Sequence, residues 1–427
     1  MSSFTITRLH AREILDSRGR PTVWAECRLA GGFTAAASVP SGASTGRAEA
    51  IELRDGDAQR YRGLGCRRAV ENVSVTLHEG LRGRAFASQA ELDGELMRLD
   101  GTPNCRRLGA NAILAVSLAF ARACAVQHGV PLYRHFADIA GLRLCTLPRL
   151  TVNLFSGGKH AGEQSPLQDI LLTPVAAQTT DEALAAVFAV YQAAAELVWK
   201  KYGQRLLRAD EGGLAPLFPD AESMLADAIE AITAAGHAAG IGVALALDVA
   251  SSHFFHEGCY HLGRETLDSA AMIARIDDWV TCYPLVSVED GLSEEDWAHW
   301  PALRARLAGR TLTLGDDFLC TQPARIERAI ATRAADALLL KVNQVGTLTG
   351  AAQAAALARA AGWKITVSAR SGETEDNWLA DLAVGWGADF IKVGSITQSE
   401  RLAKYNRLLV IEAETDLPLC PLAVSSR

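Results

Sequence analysis

Lysine is scarce in this chain. Of 42 basic residues only 7 are lysine (Lys159, Lys200, Lys201, Lys341, Lys364, Lys392 and Lys404), and the rest are arginine. Arginine keeps its proton in proteins, whereas a buried lysine can lose it, so a lysine in an unusual place is a candidate for proton chemistry. No Lys/Arg block is present, and 49 acidic residues leave a net charge of −7. That balance excludes a nucleic-acid groove and an anionic membrane surface as partners. The 9 cysteines include no Cys-x-x-Cys pair, and their number is odd. This argues against a disulfide framework or structural zinc and for a reduced cytosol. No uninterrupted apolar run approaches the roughly 20 residues of a membrane span. The best stretch, Ala110–Val126, is broken by Asn111 and Arg122 and reads as a buried helix. The first residues lack the charged start and apolar core of a secretory signal, so the expected location is cytoplasmic.

What remains is ordinary globular composition, 49% apolar and 21% charged over 427 residues. The length exceeds one ordinary domain, although an α/β barrel alone takes about 250 residues. Phe4–Leu9, Thr22–Leu29 and Phe33–Ser38 read as antiparallel strands, the last two joined by Ala30-Gly31-Gly32. Asn111–Gln127 has helical apolar spacing, with Gly129 at its end and Pro131 beyond. Strands first and helices after suggest an N-terminal α+β domain over 1–135. From about residue 145, Ala-rich helices alternate with short apolar strands, often with glycine between them, as in βα units of a parallel sheet.

Six of those strands end in polar residues: Asp248, Glu289 with Asp290, Asp316 with Asp317, Lys341, Ser368 and Lys392. From Glu289 onward the spacing stays close to one strand plus one helix; the longer step before it marks an insertion. Functional groups at successive strand ends are how a (β/α)8 barrel builds its site. Asp248, Glu289 and Asp316 would converge at the mouth, where three ionised carboxylates need a cation, and hard oxygen ligands suit Mg²⁺. Singly, each would read as a strand cap or an arginine partner. Lys341 and Lys392 at apolar strand ends should be partly desolvated, with lowered pKa values, and a neutral amine there can abstract a proton. Simple pairing with the carboxylates is the competing reading, an even contest for Lys392. Arg370-Ser371-Gly372 offers a guanidinium fork and a hydroxyl to a phosphate, a weak signal alone. Pro40–Gly46 lacks the ending of a P-loop, and Asp210–Gly213 is an acidic loop; by themselves both read as ordinary loops.

Taken together and in order, these stretches resemble enolase over nearly the whole chain. The matching segments are Asp16–Gly19, Ser41–Gly46, Gly157–Ala161, Asp210–Gly213, Ala246–Asp248, Ser287–Gly291, Gly315–Asp317, Lys341–Gly346, Arg370–Asp376 and Ile391–Lys392. The resemblance implies a modified (β/α)8 TIM-type barrel over 140–427 beneath the N-terminal α+β capping domain, usually as a homodimer. It implies two Mg²⁺ ions and dehydration of a small phosphorus-bearing carboxylate, 2-phosphoglycerate, to an enolpyruvyl product. By position, Asp248, Glu289 and Asp316 resemble ligands of the first metal, and Ser41 a ligand of the second. Lys341 resembles the base and Glu211 the acid at the leaving hydroxyl. Lys392 resembles the lysine on the substrate carboxylate, Arg370 and Ser371 the phosphate binders, and His160 and Gln168 the loop contacts.

Three positions depart from the family pattern. Ala369 stands where Ser-x-Arg-Ser-Gly-Glu usually carries histidine, Asp169 follows Gln168 in place of Glu, and Lys159 precedes His160 in place of Ser or Glu. All three lie on the phosphate and leaving-group side, which adds Asp169 and Lys159 to the candidate site. The expectation is a specialised paralogue acting on 2-phosphoglycerate with a modified phosphorus end, as in the carboxyphosphonoenolpyruvate synthase branch of phosphonate antibiotic biosynthesis. The alternatives are a housekeeping phosphopyruvate hydratase and a non-catalytic enolase-like binding protein.

Overall fold

The computed structural model describes residues 3–43, 46–162, 165, 167–204 and 207–422. Ser44 and Thr45 of the small-residue loop lie outside the described residues.

Alternating apolar residues draw the first strands into one antiparallel sheet: β1 (Phe4–Leu15), β2 (Pro21–Leu29), β3 (Thr34–Ser38) and the short β4 (Ala85–Phe86), in the order β3-β2-β1-β4. Strand β1 runs past the expected Leu9. Pairing with β2 continues as far as Leu15 opposite Pro21, so cross-strand hydrogen bonds carry it through a polar stretch. The joining turn is tied by Asp16, whose Oδ1 accepts from the backbone N–H groups of Arg18 (2.8 Å) and Arg20 (2.9 Å). The apolar helix Ala110–His128 lies against β2 and β3, buried along most of its length, and ends at Gly129 in a left-handed conformation.

The next helix, Leu132–Ala140, holds His135 almost out of solvent, at 8% exposure. Burial, reinforced by neighbouring His128, depresses its imidazole to about 4 from an ordinary 6.5. The fold therefore keeps His135 neutral, while the unfolded chain protonates it first. Its contribution to stability is complete above pH 6.5 and is lost as the pH falls from 6.5 towards 4, by about 2–3 kcal/mol. His135→Gln should flatten the acid limb of a plot of urea midpoint against pH in that window; an unchanged limb would refute this assignment.

The remaining strands close an eight-stranded barrel: β5 (Arg149–Ser156), β6 (Asp169–Thr173), β7 (Ala244–Asp248), then β11 (Leu285–Glu289), β12 (Leu312–Gly315), β13 (Ala337–Leu340), β14 (Lys364–Ser368) and β15 (Phe390–Gly394). Between β7 and β11, a small sheet of β8 (Phe255–His256), β9 (Cys259–Leu262) and β10 (Glu265–Leu267) supplies the insertion seen in the sequence spacing. The barrel is not wholly parallel, because β6 runs antiparallel to both β5 and β7. Among the described residues, the link from β5 to β6 holds the 3-10 turn Gly158–Ala161, and only twelve residues separate the two strands, too short for the crossover a parallel return needs.

Candidate active site at the C-terminal mouth of the barrel

Parallel register brings the strand ends to one mouth. Glu289 pairs with Asp248, Ser368 pairs with Lys392, and Asp316 and Lys341 directly follow β12 and β13. Lys392 Nζ donates to Asp248 Oδ2 at 2.7 Å and to Glu289 Oε2 and Oε1 at 2.8 and 2.9 Å. Lys341 Nζ donates to Asp316 Oδ2, whose Oδ1 accepts from Gln344 Nε2 at 3.0 Å. The expected fall in the two lysine pKa values is overturned. Burial works in that direction, but Asp316 beside Lys341, and Asp248 with Glu289 beside Lys392, outweigh it and hold both ammonium groups above their ordinary value.

The mouth is over-supplied with acid. Burial and the nearby Asp248 push Glu289 well above the usual carboxylate range. Burial and the charges of Asp316 and Asp317 do the same to Asp290, although it accepts backbone N–H bonds from both, at 2.9 and 2.8 Å. Burial and Asp316 lift Asp317 to about 7. Burial would also raise Asp248, but Lys392 holds it below its ordinary value. Asp290, Asp316 and Asp317 bring ligand oxygens within 4.8 Å of one another, and a ring nitrogen of His160 lies equally close to carboxylate oxygens of Asp169 and Glu211. Five crowded carboxylates against two ammonium groups fit a divalent cation, and all-oxygen donors fit Mg²⁺. Of the three expected strand-end ligands, Asp316 belongs to the group with Asp290 and Asp317, while Asp248 and Glu289 are bonded to Lys392.

On the side of the Arg370–Gly372 turn, Arg370 donates to Glu49 at 3.0 and 3.1 Å and to Asn343 Oδ1 at 2.9 Å. Ser371 Oγ accepts from Arg18 Nη1 (3.0 Å) and from the Ala43 amide (2.8 Å). Ser41 is bound to the same turn through reciprocal backbone bonds with Gly372. Its hydroxyl donates to Glu52 (3.0 Å) and accepts from Arg54 (2.7 Å), so in this conformation it is held by that pair.

On the opposite side, His160 Nδ1 bonds Asp169 Oδ2 at 2.9 Å, and its Nε2 lies 3.8 Å from Glu211 Oε1. Ser156 donates to Asp169 (2.5 Å), Asn153 to Glu211 (3.1 Å), and Gln168 Nε2 to Asp248 (3.2 Å). Burial would lower the His160 imidazole, but Asp169 and Glu211 on either side hold it up at about 9. Burial would raise Glu211, but His160, then Arg401, Lys392 and Lys341, hold it down at about 2. The proton of this cluster thus sits on His160, and Glu211 is an anion. Burial keeps Asp169 above its ordinary value against the pull of His160. Lys159 is exposed on the Gly158–Ala161 turn, where its charge adds to burial in depressing His253 to about 4. Ala369 is buried and lines the same cavity as His160, Gln168, Glu211, Lys341 and Ser371.

Sequence reasoning assigned no role to Asp290, Asp317, Glu49, Glu52, Arg54, Asn343 or Gln344. Asp290 and Asp317 stand out in the sequence as doubled acids at two strand ends, but the doubling alone gives them no role. Asn343 and Gln344 lie within the Lys341–Gly346 segment, whereas Glu49, Glu52 and Arg54 come from a segment that only folding brings near. Two stretches of the chain match known domains. Residues 6–136 match the enolase N-terminal domain and residues 144–417 the enolase C-terminal TIM barrel domain, so the chain belongs to the enolase family.

Proposed function

We propose that this protein is a Mg²⁺-dependent dehydratase that eliminates water from a 2-phosphoglycerate-like substrate, specialised for a modified phosphorus end as in carboxyphosphonoenolpyruvate synthase. The observation that carries the reaction is the facing arrangement at the mouth: an acid excess with two buried lysines, flanked by an arginine–serine turn on one side and a His–Glu pair on the other. Mg²⁺ held by Asp248, Glu289 and Asp316 would stabilise the charge of an enolate and weaken the hold of those carboxylates on the lysine protons. Lys341, once deprotonated, takes the hydrogen from the carbon beside the substrate carboxylate. Lys392 orients that carboxylate. Arg370 and Ser371 receive the phosphorus group. The hydroxyl leaves as water with a proton delivered from the His160–Glu211 pair, where His160 stores it.

Specialisation is supported by Ala369, a buried methyl where the family pattern has imidazole, and by the exposed ammonium of Lys159 on the turn that carries His160. Space and an added cation together suit a substrate that carries an extra carboxyl on phosphorus. The test compares kcat/KM for 2-phosphoglycerate and its carboxyphosphono analogue. Wild type should favour the analogue, and Ala369→His with Lys159→Ser should shift the ratio towards 2-phosphoglycerate by roughly tenfold or more, the worth of one charge-assisted contact. An undiminished wild-type preference for 2-phosphoglycerate would identify a housekeeping hydratase, and absence of turnover on both would favour a binding protein.

A further inference from the structure

The Asp16–Gly19 motif lies in the turn between β1 and β2, yet it reaches the phosphate side of the barrel mouth. Asp16 is buried and its Oδ2 accepts from Arg18 Nε (3.3 Å) and Nη2 (3.0 Å), which fixes the guanidinium. From there Arg18 Nη2 donates to the Ser41 carbonyl (3.0 Å) and Nη1 to Ser371 Oγ (3.0 Å). The approach depends on Gly372. A Cβ there would lie 2.2 Å from Asp16 Oδ2 and 2.3 Å from Arg18 Nη2, inside any tolerable contact.

The consequence falls on Ser371. A serine hydroxyl has one hydrogen to donate and two lone pairs to accept with. Both lone pairs are taken, one by Arg18 Nη1 and one by the Ala43 amide. The hydroxyl hydrogen is therefore left to donate, and Ser371 lines the cavity beside Arg370 and Ala43. A neutral hydroxyl that must donate discriminates in favour of an anionic oxygen.

We propose that Arg18 is a positioning residue for phosphorus oxyanions: it compels Ser371 to act as a donor and latches the Ser41–Ala43 segment to the Arg370–Gly372 turn. This rests on the proposed function, in which that turn receives the phosphorus group. Arg18 does not touch the ligand; it acts through Ser371.

The test is a double-mutant cycle on the full chain with inorganic phosphate as the probe, followed by calorimetry in the presence of Mg²⁺. Arg18→Gln should weaken phosphate binding about tenfold, as loss of a hydrogen bond to a charged group does. In a Ser371→Ala background the same substitution should cost little more, whereas a purely structural role would cost the same in both. Additive losses, or unchanged affinity in Arg18→Gln, would overturn the proposal. Should Arg18→Gln fail to fold by circular dichroism, Arg18→Lys replaces it in the cycle. It keeps the charge but cannot span both acceptors, so the same coupling is expected and its absence is equally fatal. Coupling in the phosphate cycle without turnover of either substrate would sink the proposed reaction and leave the latch standing.

Discussion

Lys341→Met is expected to lower kcat by roughly 10³–10⁴-fold, because it deletes the proton acceptor while keeping most of the apolar stem that packs in the mouth. The argument begins with the position of Lys341, directly after β13 and bonded to Asp316. In that pairing the amine keeps its proton, so reactivity depends on weakening the Asp316 hold. Glu211→Gln should also stop elimination, but for a different reason, since it removes the anion that works with His160 at the leaving hydroxyl. The two variants separate in deuterated solvent. Glu211→Gln should still exchange the substrate hydrogen beside the carboxylate, whereas Lys341→Met should exchange almost none. Turnover of Lys341→Met within tenfold of wild type would remove lysine from the role of base.

The second large effect concerns the pair of carboxylates on Lys392. Both bond the same buried ammonium, but they carry their charge differently. Lys392 holds Asp248 below its ordinary value, so Asp248 is the ionised partner. Burial and Asp248 hold Glu289 well above its own, so Glu289 gives up its proton less readily than Asp248. Asp248→Asn should therefore remove the more strongly ionised partner of a buried ammonium and leave Glu289 to take over the pairing, destabilising the fold by up to about 3 kcal/mol. Glu289→Gln should cost clearly less, because Asp248 stays in place to pair Lys392. Mg²⁺ should stabilise wild type by about 2.7 kcal/mol at a hundredfold excess over its Kd, and neither variant should show that gain. Urea unfolding with and without Mg²⁺ measures both quantities. Equal losses for the two variants, or a full Mg²⁺ gain in either, would overturn this division of charge.

Much of this site was legible before folding was considered. The regular spacing of Asp248, Glu289, Asp316, Lys341, Ser368 and Lys392 marks strand ends because each βα unit spends nearly constant chain length, and parallel register then carries all six groups to one mouth. The reversal of β6 was not legible, since its short apolar run Ile170–Leu172 reads the same in either direction and only the short link from β5 decides. The protonation states were misread for the lysines because desolvation can be inferred from an apolar strand, whereas the opposing Coulomb attraction depends on which carboxylate lies across the barrel.

Local patterning and strand-end chemistry were enough to establish two parts, a capped barrel and a set of acids and lysines at its rim. Covalent spacing repeats in a linear string and needs no third dimension to be seen. The network from Asp16 and Arg18 through Ser41 to Ser371, and the sharing of Lys392 between Asp248 and Glu289, belong to the folded molecule, because they join residues up to several hundred positions apart whose meeting is dictated by packing of the cap on the barrel.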